Sequence, residues 1–591
     1  MKYFIIYLFV LIINFSAIAQ NAGELIANTG YDYSHNNSPL RFFSMEDINN
    51  DGDPDPLAIV MIQYLQSGKR TCIFYYKDNS GWHSASPFDT TGTFGWPSLQ
   101  HCKDGPLDGK ILFMGHSNGK SFWAVYNPFD SSVVRDTVGI DGNFPSFIYL
   151  PDGTIFMTNA KDNGLLIHKS TNLGESWTVH TSIGEGDPDF SAGNITDQPS
   201  ELPIRSSPNR KHLSITGCFK NASTTGNPDI VYNYYSDDYG ETWQGRIIGW
   251  GSGENPLYGQ IINRDYAPYF CNFSQLSAEV DNNGTTHVII NGYGEYTIAP
   301  DSTDYVYPVL YWNSLQEEWN AVSNIVNESN TDGCGNYVIN WFGGRLYAGF
   351  GIGQAYPTLS VSEDGGIVVA AWQGFEYTNG PGSEWNIYPG DGGPESSPYY
   401  YTDIYSNVSM NGGISWPDEI TLIQNETDEM EQYVLLSPYL EQTNLYKFIP
   451  IHFIYQLDAI PGVRVVLSQF TQNSWSNETA WYYQQKDIII TNIDKEERFL
   501  DSYLLSQNYP NPFNPNTVIK YQLPEAGNVT LKVYDVLGSE IATLVNEYKN
   551  AGSYEVEFHP ESGIRHLASG VYYYQMKAGS FIQTKKMILL K

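Results

Sequence analysis

An all-β chain in two parts, a large array of repeated four-strand units ahead of a small β-sandwich, is what this sequence of 591 residues predicts. Three observations carry that expectation. Aromatic residues make up 15% of the chain, and short runs alternate apolar and polar side chains between Gly, Pro and Asn, which is the period of strands rather than helices. An octamer of the form S-x-[DN]-x-G-x-[ST]-W occurs at Ser170–Trp177, Ser236–Trp243 and Ser409–Trp416. Beyond residue 500 the texture changes to strand-like runs broken at Pro-Glu-Ala-Gly, Leu-Gly, Asn-Ala-Gly, Ser-Gly and Ala-Gly, where turn chemistry is expected.

Taken in chain order, residues 1–19 read as a signal peptide. Lys2 precedes an apolar run that ends in Ala17-Ile18-Ala19, the small-x-small pattern of a cleavage site, so the mature chain is expected to start at Gln20. No later stretch has about 18 uninterrupted apolar residues, so no transmembrane span is expected after signal removal. The formal net charge of −34 argues against nucleic acid, whose phosphates call for clustered Lys and Arg. Charges nearly balance from Tyr509 onward, which assigns the acidity to the large domain, either as a solvated face or as divalent-cation sites. Five cysteines in an exported chain permit at most two disulfides; Cys72 with Cys102 and Cys218 with Cys271 are candidate pairs, and the spacing does not fix the connectivity.

Residues 20–495 form the large domain. The octamer suits a tight hairpin: the Asp or Asn caps turn amides, Gly supplies φ > 0, the hydroxyls bond within the turn and the Trp packs beneath it. It resembles the Asp-box, or BNR repeat, of the sialidase-like superfamily. That resemblance implies a β-propeller and says little of activity, because such boxes are structural. Aligning what surrounds each box gives four-strand units near 41–90, 97–139, 144–184, 200–249, 275–325, 356–424 and 433–490, about seven four-stranded blades. First and third turns of a blade share one end of the ring. Loops between second and third strands, with the links between blades, occupy the other, where binding sites are expected.

Two constellations bear chemistry. Asp47, Asn49, Asp51, Asp53 and Asp55 place oxygen ligands at alternating positions around Gly52, which suits a structural Ca²⁺ loop; the run resembles those of integrin-like propellers, and the alternative is a long polar hairpin. The longest insertions, about 250–274, 292–308, 326–355 and 373–399, hold Arg264, Tyr296, Trp341, Arg345, Trp385 and Tyr388 beside Asp265, Glu295, Glu376 and Glu384. Aromatic platforms next to an Arg and carboxylates suit a carbohydrate cleft. A sialidase needs an arginine triad, for which Arg41, Arg205, Arg264 and Arg345 are candidates, but Phe42-Phe43 follow Arg41 where that family has Ile-Pro, and seven blades exceed its six. The expected function is that of a non-enzymatic module binding a glycan or a surface protein. A polysaccharide-degrading glycoside hydrolase and a structural surface component are the alternatives.

Residues 496–507 read as a charged linker, and 508–591 as an Ig-like β-sandwich of about seven strands. Its opening, Asn508-Tyr509-Pro510-Asn511-Pro512-Phe513-Asn514-Pro515, is held extended by its prolines and should lie flat against a sheet. Together with VYDVLG, LASGVYYYQMKAG and the terminal TKKMILLK, these residues resemble the type A C-terminal sorting domain of the type IX secretion system. The resemblance implies the type IX translocon as partner, Sec export first, and a secreted or outer-surface destination.

Overall fold

In the computed structural model of the chain, the described residues are 23–29, 42–48, 52–63, 70–160 save 87 and 89–93, 166–184, 195–197, 202–221, 230–250, 266–268, 276–299, 302–306, 309–323, 355–375, 387–388, 399–400, 402–424 save 418–419, 430–440, 448–458, 479–489, and 503–590 save 506–507, 509–510, 512, 524–525, 551, 561–566 and 580. Among them the chain is almost wholly antiparallel strand, with one 3₁₀ turn at Gly105–Leu107.

Among the described residues, seven sheets of at least four strands follow one another along the large domain. Each runs from an innermost first strand outward: Phe43–Glu46 opens sheet 1, Gly95–His101 sheet 2, Asn143–Tyr149 sheet 3, Ile204–Ser206 sheet 4, Leu276–Val280 sheet 5, Ala355–Val361 sheet 6 and Met430–Leu436 sheet 7. Every sheet lies against the next, and the first two strands of sheet 7 lie against the first strand of sheet 1, so the sheets close into a circle. The closing strand comes from the other end of the chain. Glu24–Asn28 pairs with Ala480–Ile489 as the outermost strand of sheet 7, with Ala27 opposite Trp481. The sequence reading of the units did not contain this strand.

Packing repeats with the topology. A β-sheet must cover its apolar face, and here separate apolar cores lie between neighbouring sheets: Leu112 and Met114 meet Phe147 and Ile155 between sheets 2 and 3. Phe156 and Ile167 meet Leu213 and Ile215 between sheets 3 and 4. Val369 and Ala371 meet Phe453 and Tyr455 between sheets 6 and 7. Burying one such side chain contributes about 1.5–3 kcal/mol. Cys72 and Cys102 lie in separate cores, which rules out that candidate pair: both are buried thiols, Cys72 in the cluster around sheet 1 and Cys102 in that between sheets 2 and 3. Burial pushes the Cys102 thiol up to about 12, which keeps it protonated and inert.

The three octamers form the same circuit. In the second, Ser236 Oγ accepts the Gly240 N–H at 2.9 Å and donates to Asp238 at 2.8 Å, while Asp238 takes the Thr242 N–H and hydroxyl at 2.8 and 2.6 Å. Trp243 Nε1 donates to the Gly240 carbonyl at 2.9 Å and stacks on Tyr234. Ser170–Trp177 repeats the backbone and Trp bonds with Asn172, and Ser409, Asn411, Gly413 and Ser415 repeat the turn bonds, but with Asn in place of Asp the last step reverses: Asn172 and Asn411 Nδ2 donate to the Ser176 and Ser415 hydroxyls, both at 2.9 Å. The glycine has a second duty. Gly174 faces Trp123, Gly240 faces Phe156 and Gly413 faces Tyr311, each ring belonging to the preceding sheet. The octamer therefore joins one sheet to its neighbour as well as closing its own hairpin.

The C-terminal domain is two facing sheets. One contains Leu504–Leu505, Thr517–Leu523 and Gly552–Phe558; the other is ordered Glu540–Lys549, Gly527–Tyr534, Gly570–Ala578, Phe581–Leu589. A shared core of Ile519, Leu531, Val533, Tyr574, Met576 and Met587, among others, lies between them. Leu504–Leu505 pairs with Gln522 and Tyr521, so the sheet begins ahead of residue 508. As the prolines suggest, Phe513 is laid along a sheet: its N–H donates to Ile588 and its carbonyl accepts from Leu590, both at 2.9 Å.

The Gly240 packing gives a direct test. Gly240 and Gly119 have similar φ of 81° and 75°, but a Cβ on Gly240 would approach Phe156 to 2.5 Å whereas nothing lies within 4 Å at Gly119. Gly240→Ala is expected to cost about 1–3 kcal/mol more than Gly119→Ala, measured by urea unfolding of the full chain; equal losses would remove the inter-sheet role of the glycine.

Candidate binding site

The ring has two unlike ends. At one, first turns of successive sheets hydrogen-bond to each other: the Asn209 N–H donates to Asn282 Oδ1 at 2.8 Å, and the Asn282 N–H to the Glu363 carbonyl at 2.8 Å. In sheets 4 and 6 the first turn also holds the octamer turn of its own sheet, through Tyr239 N–H to Lys211 O at 2.9 Å and Gly412 N–H to Gly366 O at 2.8 Å. First and third turns thus share this end, as the alternation of strands requires.

A segment of sheet 7 seals the same end. Val361 and Leu440 exchange backbone bonds with Pro438 and Val361 respectively. The Tyr439 hydroxyl then reaches across to the carbonyls of Ser206 in sheet 4 and Val280 in sheet 5. Ser437 Oγ accepts the Met45 N–H of sheet 1 at 3.3 Å. One short stretch therefore touches sheets 1, 4, 5 and 6.

Buried charge is concentrated nearby. Arg205 Nε stands 3.2 Å from Glu279 Oε1, joining the first strands of sheets 4 and 5, and both side chains are about 5% exposed or less. Glu46, at the end of the first strand of sheet 1, faces Lys103 Nζ at 3.2 Å and His101 Nδ1 at 3.5 Å from sheet 2. Burial works to raise the Glu46 carboxyl, but the approach of His101 and the positive charges of Lys103 and Arg210 outweigh it and hold it at about 2. Arg210 belongs to the first turn of sheet 4, where its Nη1 donates to Ser206 Oγ at 3.0 Å. In sheet 5, Asp281 accepts the N–H groups of Asn283 and Thr285 at 2.8 Å and lies 3.4 Å from His287 Nε2; His287 Nδ1 meets the Tyr311 hydroxyl at 2.7 Å. Desolvation raises the Tyr311 phenol well above its ordinary value. The Arg205–Glu279 and Glu46–Lys103 pairs tie neighbouring sheets together, whereas Asp281, His287 and Tyr311 bond one another within sheet 5. Glu46, Glu279, Asp281 and Tyr439 were not among the residues singled out from sequence.

The other end carries extra strands. Thr286–Ala299, the second strand of sheet 5, runs past Asn291, where its pairing to the third strand stops, and continues in a hairpin with Ser302–Val306. On its other edge it takes Tyr266–Pro268, from the link between sheets 4 and 5, with Tyr266 opposite Gly294. In sheet 4 the link strand Ile195–Asp197 likewise pairs with Lys220 and Asn221. Between the second and third strands of sheet 6, Ile387–Tyr388 pairs with Tyr399–Tyr400. Links and second-to-third connections therefore meet at one end, opposite the sealed one.

Of the candidate ligand residues, the backbones of Tyr296 and Tyr388 lie in these extensions, Tyr296 opposite Asp304 and Tyr388 opposite Tyr399. Arg264, Trp341, Arg345 and Trp385 lie outside the described residues, as do Asp265, Glu376 and Glu384. Arg41 does too, and Arg205 is engaged by Glu279. In the candidate Ca²⁺ loop, Asp47 Oδ2 accepts the Gly52 N–H at 3.2 Å and Asp55 begins the second strand opposite Glu46, while Asn49 and Asp51 fall outside the described residues. Among the described residues no three His, Cys, Asp or Glu side chains converge as a metal site, and no helix is long and apolar enough to cross a membrane.

Two predictions follow from the buried charges. Arg205→Met strands Glu279 and should destabilise the full chain by about 3–5 kcal/mol, and the double variant Arg205→Met/Glu279→Leu should regain most of that loss; matching urea midpoints for single and double variants would contradict it. The Glu46 carboxyl sits below its ordinary 4.5 in the folded chain. Its stabilisation is therefore full above pH 4.5 and is lost as pH falls towards 2. The melting-temperature gap between the protein and Glu46→Gln should narrow from pH 6 to pH 3.

No curated protein matches the chain. Among solved structures it is similar to polysaccharide lyase Uly1, with a TM-score of 0.33 and 8% identity over 78% of this chain and 88% of that one. It is also similar to α-L-arabinofuranosidase Arb93A from Fusarium graminearum, with a TM-score of 0.33 and 11% identity over 78% and 99%. The β-propeller domain of the Trilobed protease from Pyrococcus furiosus gives 0.30 and 10% over 71% and 91%. At these scores no activity is carried over. The C-terminal sandwich is more informative: residues 507–590 match the family described as the secretion system C-terminal sorting domain, which makes the chain a cargo of the type IX system, secreted to the cell surface or the extracellular space.

Proposed function

We propose that the secreted chain is a seven-bladed Asp-box β-propeller followed by an Ig-like sorting sandwich, and that the propeller is a non-enzymatic recognition module for a glycan or a surface protein. The asymmetry of the ring's two ends carries this reading. One end is sealed by Tyr439 and by turns bonded to each other, whereas the other gathers the link strands and hairpins of sheets 4, 5 and 6. Propeller ends of that second kind offer concave, aromatic-lined surfaces on a rigid scaffold. Tyr296 and Tyr388 lie in strands at that end, and with Arg264, Trp341, Arg345 and Trp385 from the same stretches of sequence they would supply stacking faces and carboxylate-binding forks.

Binding is favoured over hydrolysis because the buried acids with described partners serve the ring: Glu279 is held by Arg205, Glu46 by Lys103, and Asp281 by turn amides and His287. A structural Ca²⁺ at Asp47, Asn49, Asp51, Asp53 and Asp55 belongs to the same proposal, the carboxylate-rich donor set being that of a hard cation. The test is a glycan-array and glycosidase screen of the secreted protein, with calcium and then with chelator. Binding without turnover, weakened by Trp385→Ala, is the expected result; release of sugar products would overturn it in favour of a glycoside hydrolase. A melting temperature unmoved by chelator would dispose of the calcium.

A further inference from the structure

The sorting domain must be read by the secretion machinery, and its surface is uneven. Most large apolar side chains in it are buried between its two sheets, as in any sandwich. Val536 and Leu537 are not. At 66% and 87% exposed they are the two most exposed large apolar residues among those described in the whole chain. They form the tip of the hairpin that joins Gly527–Tyr534 to Glu540–Lys549.

This tip is held rigid. Asp535 Oδ1 accepts the N–H groups of Leu537 and Ser539, both at 2.9 Å, while the Asp535 and Ser539 backbones and the Gly538 N–H close the turn at 3.0 Å. Gly538 has φ +79°, with nothing within 4 Å of where its Cβ would stand. The turn needs its Asp and its Gly. It does not need aliphatic side chains at the two positions between them, since neither enters the core. Two aliphatic chains fixed in water by a preorganised turn lose little further entropy on docking, which is how an anchor residue gains affinity.

The tip is also continuous with the outer face of the four-stranded sheet. Tyr534, next to the turn, pairs with Tyr573, which is 37% exposed, and Tyr573 pairs in turn with Lys586. An apolar knob thus leads into an aromatic strip edged by a lysine. From these contacts we infer that the Val536–Leu537 tip, backed by Tyr573, is the surface by which the sorting domain docks into an apolar pocket of the type IX translocon. The partner is fixed by the address itself, which takes the chain through that system; the location of the contact is what the geometry adds.

The test expresses the full chain in a bacterium with a type IX system and measures, by immunoblot, how much is found outside the cell or on its surface and how much is held in the periplasm. Val536→Asp/Leu537→Ser should reduce the exported share at least tenfold, with the retained chain still resistant to protease and melting within about 2 °C of the unaltered protein. Tyr548→Ser, which alters a 63% exposed side chain on the edge strand, serves as the control and should leave export unchanged. Leu537→Met keeps an apolar tip and should be exported normally. Undiminished export of the double variant would overturn the assignment, and so would an equal loss with Tyr548→Ser, because the effect would then belong to any surface change. If the double variant is degraded, export of Leu537→Ser alone decides the matter in the same way.

Discussion

Closure of a circle whose ends are remote in sequence is the constraint on which the large domain depends. Each sheet has two apolar faces and, among the described residues, no helix covers either, so it is stable only between two others. The last sheet can lie against the first only if the chain returns to its start. The strand Glu24–Asn28 makes that return, giving the outer edge of sheet 7 a fourth strand and adding Ile26 and Ala27 to the core that also holds Phe43, Trp481 and Tyr483. Loop-closure entropy rises only slowly with length. A single five-residue strand backed by a continuous core is thus enough to hold the circle, but folding it is a matter of non-local pairing and is expected to be slow.

Local devices make that non-local fold specific. In Ser236–Trp243 the bonds of Ser236, Asp238 and Trp243 that shape the turn lie within the octamer, so the turn can form from its own sequence, yet its glycine is shaped by Phe156 of the sheet before it. The same coupling appears where the Tyr311 hydroxyl bonds the Gly412 carbonyl at 3.2 Å while its ring covers Gly413. Each octamer that forms correctly thus presents a surface on which only the neighbouring sheet fits, and register passes from sheet to sheet around the ring.

This explains what could be read in the sequence. The four-strand units were legible because each is punctuated by turn chemistry at short range: Asp152 and Asp281 cap first turns, and Ser, Asp or Asn and Gly cap the third. The longer strands of the sorting sandwich were legible for the same reason, together with the Asn and Pro residues around Phe513, whereas the strand Leu504–Leu505 fell in the segment read as a linker. Partners distant in sequence were not. Arg205 finds Glu279 74 residues away, and Tyr439 finds Ser206 at a separation of 233, with nothing local to mark either. Cys72 and Cys102 formed one of the candidate pairs that the sequence left open, yet neighbouring sheets turn them into different cores. The strand Glu24–Asn28 was missed because five residues carry too little alternation to stand out without their partner strand. Of the aromatic and charged candidates of the inserted segments, Tyr296 and Tyr388 fall in strands whose place in the ring the topology dictates. Their mutual geometry depends on tertiary contacts that no local pattern encodes.

The two domains solve opposite problems with the same element. The ring hides its sheet faces by meeting itself, so that what it can recognise must come from segments inserted at its ends. The sorting sandwich hides one face of each sheet and leaves the outer faces free, and it fixes its own extremities to each other. The Ile588 N–H donates to Asn511 at 2.8 Å and Phe513 bonds the backbone before and after Leu589 on one edge of the last strand, while the Asn508 N–H donates to the Tyr574 hydroxyl at 2.7 Å. An address built this way is complete only when residues near 510 and near 588 are joined. A chain truncated before its last strand would lose the seat of Phe513 as well as the strand itself, so recognition of the folded sandwich reports that the whole of the C-terminal domain has been made and folded.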